Sequence, residues 1–188
     1  MKKIKARIKY AKRYPFNLVG HLDTMECIKR SLRRAGWPLK FTSGYNPRIK
    51  LTSMSPLSLG FYSEAEFIDI YLKFFPGDYQ IEKFKKSTVK GLKIKQVKIM
   101  PAGRKGINKE IQGFRYLIQV NKKLPSKYLK LDKIKEESPG NLLLDIPKIS
   151  GGIKNPRKYI PKKFLRKVVR LECIWNKKDF KKIGENNG

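Results

Sequence analysis

The chain contains one histidine, His21, which stands two residues before Asp23. Histidine titrates near neutral pH and is the side chain most often used as a general acid or base. If the protein is an enzyme, His21 and Asp23 are its candidate catalytic pair. The same residues can instead begin a helix, with Asp23 bonded to free N–H groups of the first turn. We expect this structural role, because neither a second histidine nor a clear nucleophile accompanies the pair.

Three carboxylates, Glu64, Glu66 and Asp69, lie close together in the sequence and could offer oxygen ligands to a divalent metal. In a regular strand, however, Asp69 points to the opposite face from the two glutamates. We therefore expect these acids to pair with the arginines at positions 30, 33 and 34 or with the lysines of the first strand. No metal site is predicted.

Two cysteines, Cys27 and Cys173, are too few and too far apart to hold a [4Fe–4S] cluster. No apolar run has the length of a transmembrane helix, and the first residues lack the apolar segment and cleavage site of a signal peptide. We therefore expect a cytoplasmic protein with free thiols, no cofactor and no membrane association.

The charge balance is strongly positive. The 188 residues include 45 lysines and arginines but only 15 aspartates and glutamates, a formal net charge of +30. Four stretches without any acid hold 33 of the 45 cations, so the excess is local as well as global. Such a charge destabilises a compact chain by self-repulsion unless a polyanion or an anionic surface offsets it. The composition therefore favours a nucleic-acid-binding protein.

Basic residues with aromatic residues between them are typical of surfaces that bind unpaired RNA, because cations neutralise phosphates while aromatic rings stack on bases. Trp37 and Tyr45 could equally pack within the core or a loop. The predicted nucleic-acid-binding residues are Arg30, Arg33, Arg34, Trp37, Lys40, Tyr45, Arg48, Lys50, Arg104, Lys105, Arg157, Lys158, Lys162, Lys163 and Arg166.

The spacing of apolar residues predicts the elements that carry these side chains. Strict alternation over residues 3–10 predicts a strand with a cationic outer face. Helical spacing over residues 18–35 predicts an amphipathic helix whose apolar face includes Leu18 and Leu22. Gly36 follows the last apolar position and is expected to cap this helix.

The next elements complete a β-α-β-β-α-β order. Short strand-like pieces lie on either side of a Gly-Tyr-Asn-Pro turn at 44–47, and residues 67–74 alternate as a strand. A weaker helix opens at Pro76, and residues 92–99 form a strand that slips in phase near Gln96. This order predicts an α+β fold with a ferredoxin-like βαββαβ unit.

A second, smaller α+β unit is predicted after this one. Its segments include a short helix or charged loop at 125–137 and a basic, partly helical connection at 154–164. The predicted organisation is a ferredoxin-like unit at 1–100, a basic linker at 101–112, a smaller α+β unit at 113–176 and a flexible tail at 177–188.

The ordered motifs GHLD, RRAGWPL, TSGYNPRIKL, PLSLG and SEAEFIDI in the first 75 residues resemble those of the radical-SAM-linked protein family. This bacterial family occurs alone or as the C-terminal part of radical SAM proteins. The resemblance suggests an association with radical SAM enzymes and with RNA. Arg48 and Ile49 stand where family members usually have histidine and proline, so any role of that second histidine is absent here.

The sequence therefore predicts a non-catalytic RNA-binding accessory protein that works with a radical SAM or other RNA-modifying enzyme. Two alternatives stay open. One is a metal-independent RNA endonuclease that uses His21. The other is an interaction module whose cationic surface docks an acidic protein or ribosomal RNA.

Overall fold

The computed structural model describes residues 4–102, 106–120, 124–125, 128, 134–149, 152–153 and 155–175. The chain divides into two compact units, residues 1–108 and residues 109–188. The predicted binding residues Arg104 and Lys105 and the predicted tail lie outside the described residues. No helix of the described chain is long and apolar enough to cross a membrane.

The first unit contains an antiparallel sheet. Its strands are β1 (Ile4–Lys12), β2 (Leu51–Ser53), β3 (Tyr62–Leu72) and β4 (Leu92–Pro101), in the spatial order β4-β1-β3-β2. On β4, Gln96 pairs with Lys9 and Ile94 with Tyr10, which leaves Lys95 as an extra residue. This β-bulge confirms the phase slip predicted near Gln96.

Two helices cover one face of this sheet, α1 (His21–Arg34) and α2 (Asp78–Lys86). Ile8 and Ile68 of the sheet belong to the same buried core as Ile28 of α1 and Phe84 of α2. Apolar side chains recur at alternate positions along the strands and at helical spacing in α1, so each element contributes one apolar face to this core.

Helix α1 begins later than its apolar spacing predicted. A 3₁₀ turn occupies residues 16–18, and Gly20 is the N-cap. Leu18 and Leu22 are 59% and 78% exposed, so their assignment to the buried face was wrong. The break at residues 19–20 separates Leu18 from the helix, while Leu22 lies in the first turn of α1 on its solvent side.

The end of α1 confirms the predicted cap. Gly36 adopts a φ of 69°, which glycine reaches without the steric cost that other residues incur. Its N–H donates to the Arg33 carbonyl at 2.9 Å, and the Trp37 N–H donates to the Leu32 carbonyl at 3.1 Å. These two bonds form a Schellman motif, which satisfies carbonyls that the helix leaves free.

The second unit is also built on antiparallel strands. A four-residue helix, α3 (Ile107–Glu110), spans the boundary along the chain. The strands that follow run in the spatial order β9-β5-β7-β6, and β8 pairs with β7. They are β5 (Ile111–Val120), β6 (Ile134–Ser138), β7 (Asn141–Ile149), β8 (Gly152–Ile153) and β9 (Leu165–Trp175).

The predicted fold class, a ferredoxin-like βαββαβ unit followed by a smaller α+β unit, was wrong. The described chain is mostly β-sheet with few helices: nine strands accompany three α-helices, one of them a single turn. In the second unit, most of the described part of the stretch 125–137 belongs to strand β6, although Tyr128 is helical, and the partly helical connection predicted at 154–164 contains two 3₁₀ turns. Strand β3 shows why strand content was underestimated. It begins at Tyr62, five residues before the predicted start, and the residues that were missed include Glu64, Ala65 and Glu66, which are types depleted in strands.

Candidate functional site: a cationic surface and a polar cluster

The basic residues at the end of α1 are exposed at the C-terminal end of the helix. Arg30, Arg33 and Arg34 all lie on its solvent side. Their charges are favourable at this end because the helix dipole places partial negative charge there. Arg34 also donates a hydrogen bond of 2.8 Å to the carbonyl of Ser87, just after α2. The basic ends of both helices therefore lie together.

The segment after α1 carries the next group of predicted residues. The Lys40 N–H donates to the Tyr71 carbonyl at 2.9 Å, and the Lys50 N–H donates to the Lys40 carbonyl at 2.7 Å. The Lys50 ammonium also lies over the Tyr71 ring, 5.3 Å from its centroid. Between these two lysines the chain forms a loop in which Arg48 is exposed and Tyr45 is 100% exposed.

Six basic residues of α1 and of the segment after it form no ion pair with an acid within the described part of the chain. They are called the cationic surface and are Arg30, Arg33, Arg34, Lys40, Arg48 and Lys50. Exposed cations without a fixed counter-charge are available to a polyanion at little desolvation cost.

Trp37 was wrongly placed among the exposed aromatic residues. It is only 5% exposed, its indole N–H donates to the Gln80 carbonyl at 3.0 Å, and its ring packs edge-on against Phe84. The Schellman turn at Gly36 directs this side chain inward. Trp37 therefore belongs to the core and cannot stack on a base.

The predicted basic residues of the second unit are also exposed. Arg157 and Lys158 lie in a 3₁₀ turn that Asn155 caps, and Lys162 and Lys163 lie in a second 3₁₀ turn. Arg166 is exposed near the start of β9. These five residues form a basic segment of the second unit.

Three exposed aromatic residues are not among the predicted nucleic-acid-binding residues. Phe74 and Phe75 follow β3 and are 59% and 65% exposed, while Tyr79 in the first turn of α2 is 75% exposed. The available signal was the pair of phenylalanines directly before the Pro-Gly turn at 76–77. That pair was interpreted as the end of a strand.

The motifs around His21 and Glu66 meet in a polar cluster of the first unit. The Nε2 atom of His21 lies 3.3 Å from the Ser53 Oγ of β2, and the side-chain amide of Asn108 donates to the Ser53 carbonyl at 3.0 Å. Lys12, which is buried, donates from its ammonium to the Val19 carbonyl. The polar cluster is defined as Lys12, His21, Ser53 and Glu66.

Electrostatics link the members of the polar cluster. Burial lowers the pKa of His21; the nearby Glu66 opposes this effect, and Lys12 adds to it. Burial likewise lowers the pKa of Lys12, again against the attraction of Glu66. His21 is therefore a neutral imidazole at pH 7. Asp23, which was predicted as its partner, is exposed, and the side chain within hydrogen-bonding distance of His21 is Ser53.

Two carboxylates of β3, Asp69 and Glu64, form ion pairs with basic side chains. Asp69 is fully buried and accepts hydrogen bonds from Lys5 at 2.8 Å and from Arg7 at 2.7 and 3.0 Å. This confirms the expected pairing with lysines of the first strand. The cationic face of that strand is not an outer face at Lys5 and Arg7, since both side chains are buried. Glu64 binds Arg13 and Lys95, and the hydrogen bond from Arg13 is the main reason that its pKa falls to about 2.

No cluster of three or more His, Cys, Asp or Glu side chains is arranged to hold a metal ion among the described residues. Both cysteines, Cys27 and Cys173, are free, as the sequence predicted.

A comparison with curated proteins gives no match. A family model described as an uncharacterized protein conserved in bacteria, DUF2344, matches residues 5–143, which include both the polar cluster and the cationic surface. Since the match covers well over half of the chain, this protein belongs to the DUF2344 family.

Proposed function

We propose that this protein is a non-catalytic RNA-binding accessory protein that presents RNA to a radical SAM or other RNA-modifying enzyme. The observation that carries the proposal is the cationic surface, in which Lys40 is half-buried, the other five residues are exposed, and none has an ion-pair partner in the described chain. RNA supplies the closely spaced negative charges that such a surface lacks.

The fully exposed Tyr45 supports RNA over other anionic partners. It lies in the loop between Lys40 and Lys50, where a tyrosine has no packing role. An aromatic ring beside cations can stack on an unpaired base, whereas an acidic protein surface offers no comparable planar group. The partner class rests on the resemblance of the motifs at residues 20–70 to radical-SAM-linked proteins.

The experiment compares two double variants with equal loss of charge. Arg33→Gln/Arg48→Gln removes two cations of the cationic surface, while Arg13→Gln/Lys29→Gln removes two cations that are paired with Glu64 and Glu26. Affinity for a labelled oligouridine is measured by fluorescence anisotropy at low salt. We expect the first variant to bind several-fold more weakly and the second to bind nearly as wild type, because its cations already have partners. Equal losses in both variants would show that only net charge matters, and absence of binding by the wild type would refute the proposal.

A metal-independent RNA endonuclease is a second candidate, because His21 is held neutral beside the Ser53 hydroxyl. A neutral imidazole can accept the proton of an RNA 2′-hydroxyl. Folded RNA is incubated in EDTA with wild type and with His21→Ala. Cleavage that disappears in the variant would support this candidate, and intact RNA in both reactions would remove it.

A further inference from the structure

The first unit exposes three aromatic rings within six residues of sequence. Phe74 and Phe75 leave the end of β3, and Tyr79 stands on the first turn of α2, each of them more than half exposed. Single exposed apolar residues are ordinary on protein surfaces, but a group of large rings marks a binding site. These three residues are called the aromatic platform.

The aromatic platform is fixed to the segment that connects α1 with Lys40. The Lys73 N–H donates to the Pro38 carbonyl at 2.8 Å, immediately before the platform. After it, Gln80 is held on both sides: its side-chain amide donates to the Gly36 carbonyl, and its own carbonyl accepts from Trp37 at 3.0 Å. Residues on both sides of the platform are therefore hydrogen-bonded to residues 36–38.

That attachment brings the rings beside cations. Residues 36–38 lie between Arg34 and Lys40 of the cationic surface, and Lys73 is exposed next to Phe74. The Lys83 ammonium lies 5.7 Å from the centroid of the Tyr79 ring, as expected for residues four apart on a helix. The aromatic platform is thus bordered by Lys73 next to Phe74 and by Lys83 next to Tyr79.

We infer that the aromatic platform is a stacking site for the bases of single-stranded RNA. This inference rests on the proposed function and specifies its substrate class. Bases have flat apolar faces that are open in a single strand and hidden in a duplex, and aromatic side chains stack on them with little dependence on sequence. The neighbouring cations hold the phosphates, so the rings contact the bases of the same strand.

The test measures the affinity of Phe74→Ala/Phe75→Ala/Tyr79→Ala for two labelled RNAs, an oligouridine of about twelve nucleotides and a perfect duplex of the same length. Removing one stacking ring weakens binding by about fivefold or more, so we expect a loss well above tenfold for oligouridine. Duplex affinity and the salt dependence of oligouridine binding should stay unchanged, because no charge is removed. Phe74→Leu/Phe75→Leu/Tyr79→Leu keeps apolar bulk without rings and should show a similar loss.

The matched control is Leu18→Ala/Leu22→Ala/Leu59→Ala, which removes three other side chains that are each at least 59% exposed. It should leave both affinities unchanged. Thermal unfolding of each variant verifies that the fold is retained. If wild type binds oligouridine and both platform variants bind it equally well, the inference is wrong while the proposed function stands. An equal loss for oligouridine and duplex would also overturn it, and wild type that binds neither RNA would refute both.

Discussion

Asp69 places one buried carboxylate between two buried cations, Lys5 and Arg7. Removing one partner of a buried ion pair leaves uncompensated charge in the interior, which costs about 3–5 kcal/mol. We therefore expect Asp69→Ala to lower the free energy of unfolding by about this amount in urea titrations. Glu82→Ala is the control, because the pair of Glu82 with Lys85 is exposed to solvent and should contribute little. Equal effects of the two substitutions would contradict the role given to Asp69.

His21 makes stability depend on pH. Burial holds its pKa below the ordinary value of 6.5, so the folded state binds fewer protons than the unfolded state between those two pKa values. The free energy of unfolding should therefore fall as the pH drops below 6.5 towards the folded-state pKa of His21. Urea titrations of wild type and His21→Gln at about pH 7.5 and about pH 5.5 measure this contribution. The loss should be smaller in the variant, and an identical loss would show that His21 does not contribute.

Individual residues differed in how far their roles could be predicted. For Asp69 the sequence left two groups of partners open, the arginines of α1 and the lysines of the first strand, and the register that pairs Arg7 with Asp69 decided between them. The partner of His21 could not be predicted, because Ser53 is 32 residues away and only tertiary packing brings the two together. Trp37 was ambiguous for a related reason: its direction depends on the turn at Gly36, and the residue type alone suits both a core and a binding surface.

At the scale of elements, the end of α1 depends on the left-handed conformation of Gly36. An alanine at this position destabilises the folded state by about 1–2 kcal/mol, because its Cβ comes too close to the following carbonyl oxygen in the left-handed conformation. A new Cβ would otherwise meet only the Gln80 side chain at 3.7 Å, so crowding adds little. We expect Gly36→Ala to reduce stability by this amount in urea titrations. Gly106→Ala is the control, because that glycine lacks a positive φ and has nothing within 4 Å of a Cβ. A neutral Gly36→Ala would contradict the Schellman cap.

Local signals predicted the elements whose apolar residues recur at a regular spacing or that have a clear stop. The strand at β1, the end of α1 and the bulge near Gln96 are of this kind. Strand β3 was predicted to start too late, because its first residues include Glu64, Ala65 and Glu66, which are types depleted in strands. The start of α1 was placed too early because Leu18 and Leu22 match the apolar spacing while being exposed.

At the scale of the whole molecule, the net charge of +30 predicts a polyanion as partner, but it does not locate a binding surface. Lys5 and Arg7 are cations of the same sequence that the fold buries, whereas Arg33 and Arg48 remain exposed. The structure was therefore needed to decide which cations are accessible to a partner. The rings of the aromatic platform were likewise identified only by their exposure in the structure.

The salt dependence of oligouridine affinity tests the central claim, RNA binding by the cationic surface, most directly. If its six cations each neutralise one phosphate, the logarithm of the binding constant should fall against the logarithm of salt concentration with a slope of about −4. Arg33→Gln/Arg48→Gln should bring the slope to about −3, because two fewer phosphates are neutralised. A slope near zero in wild type, or no binding at low salt, would contradict the account.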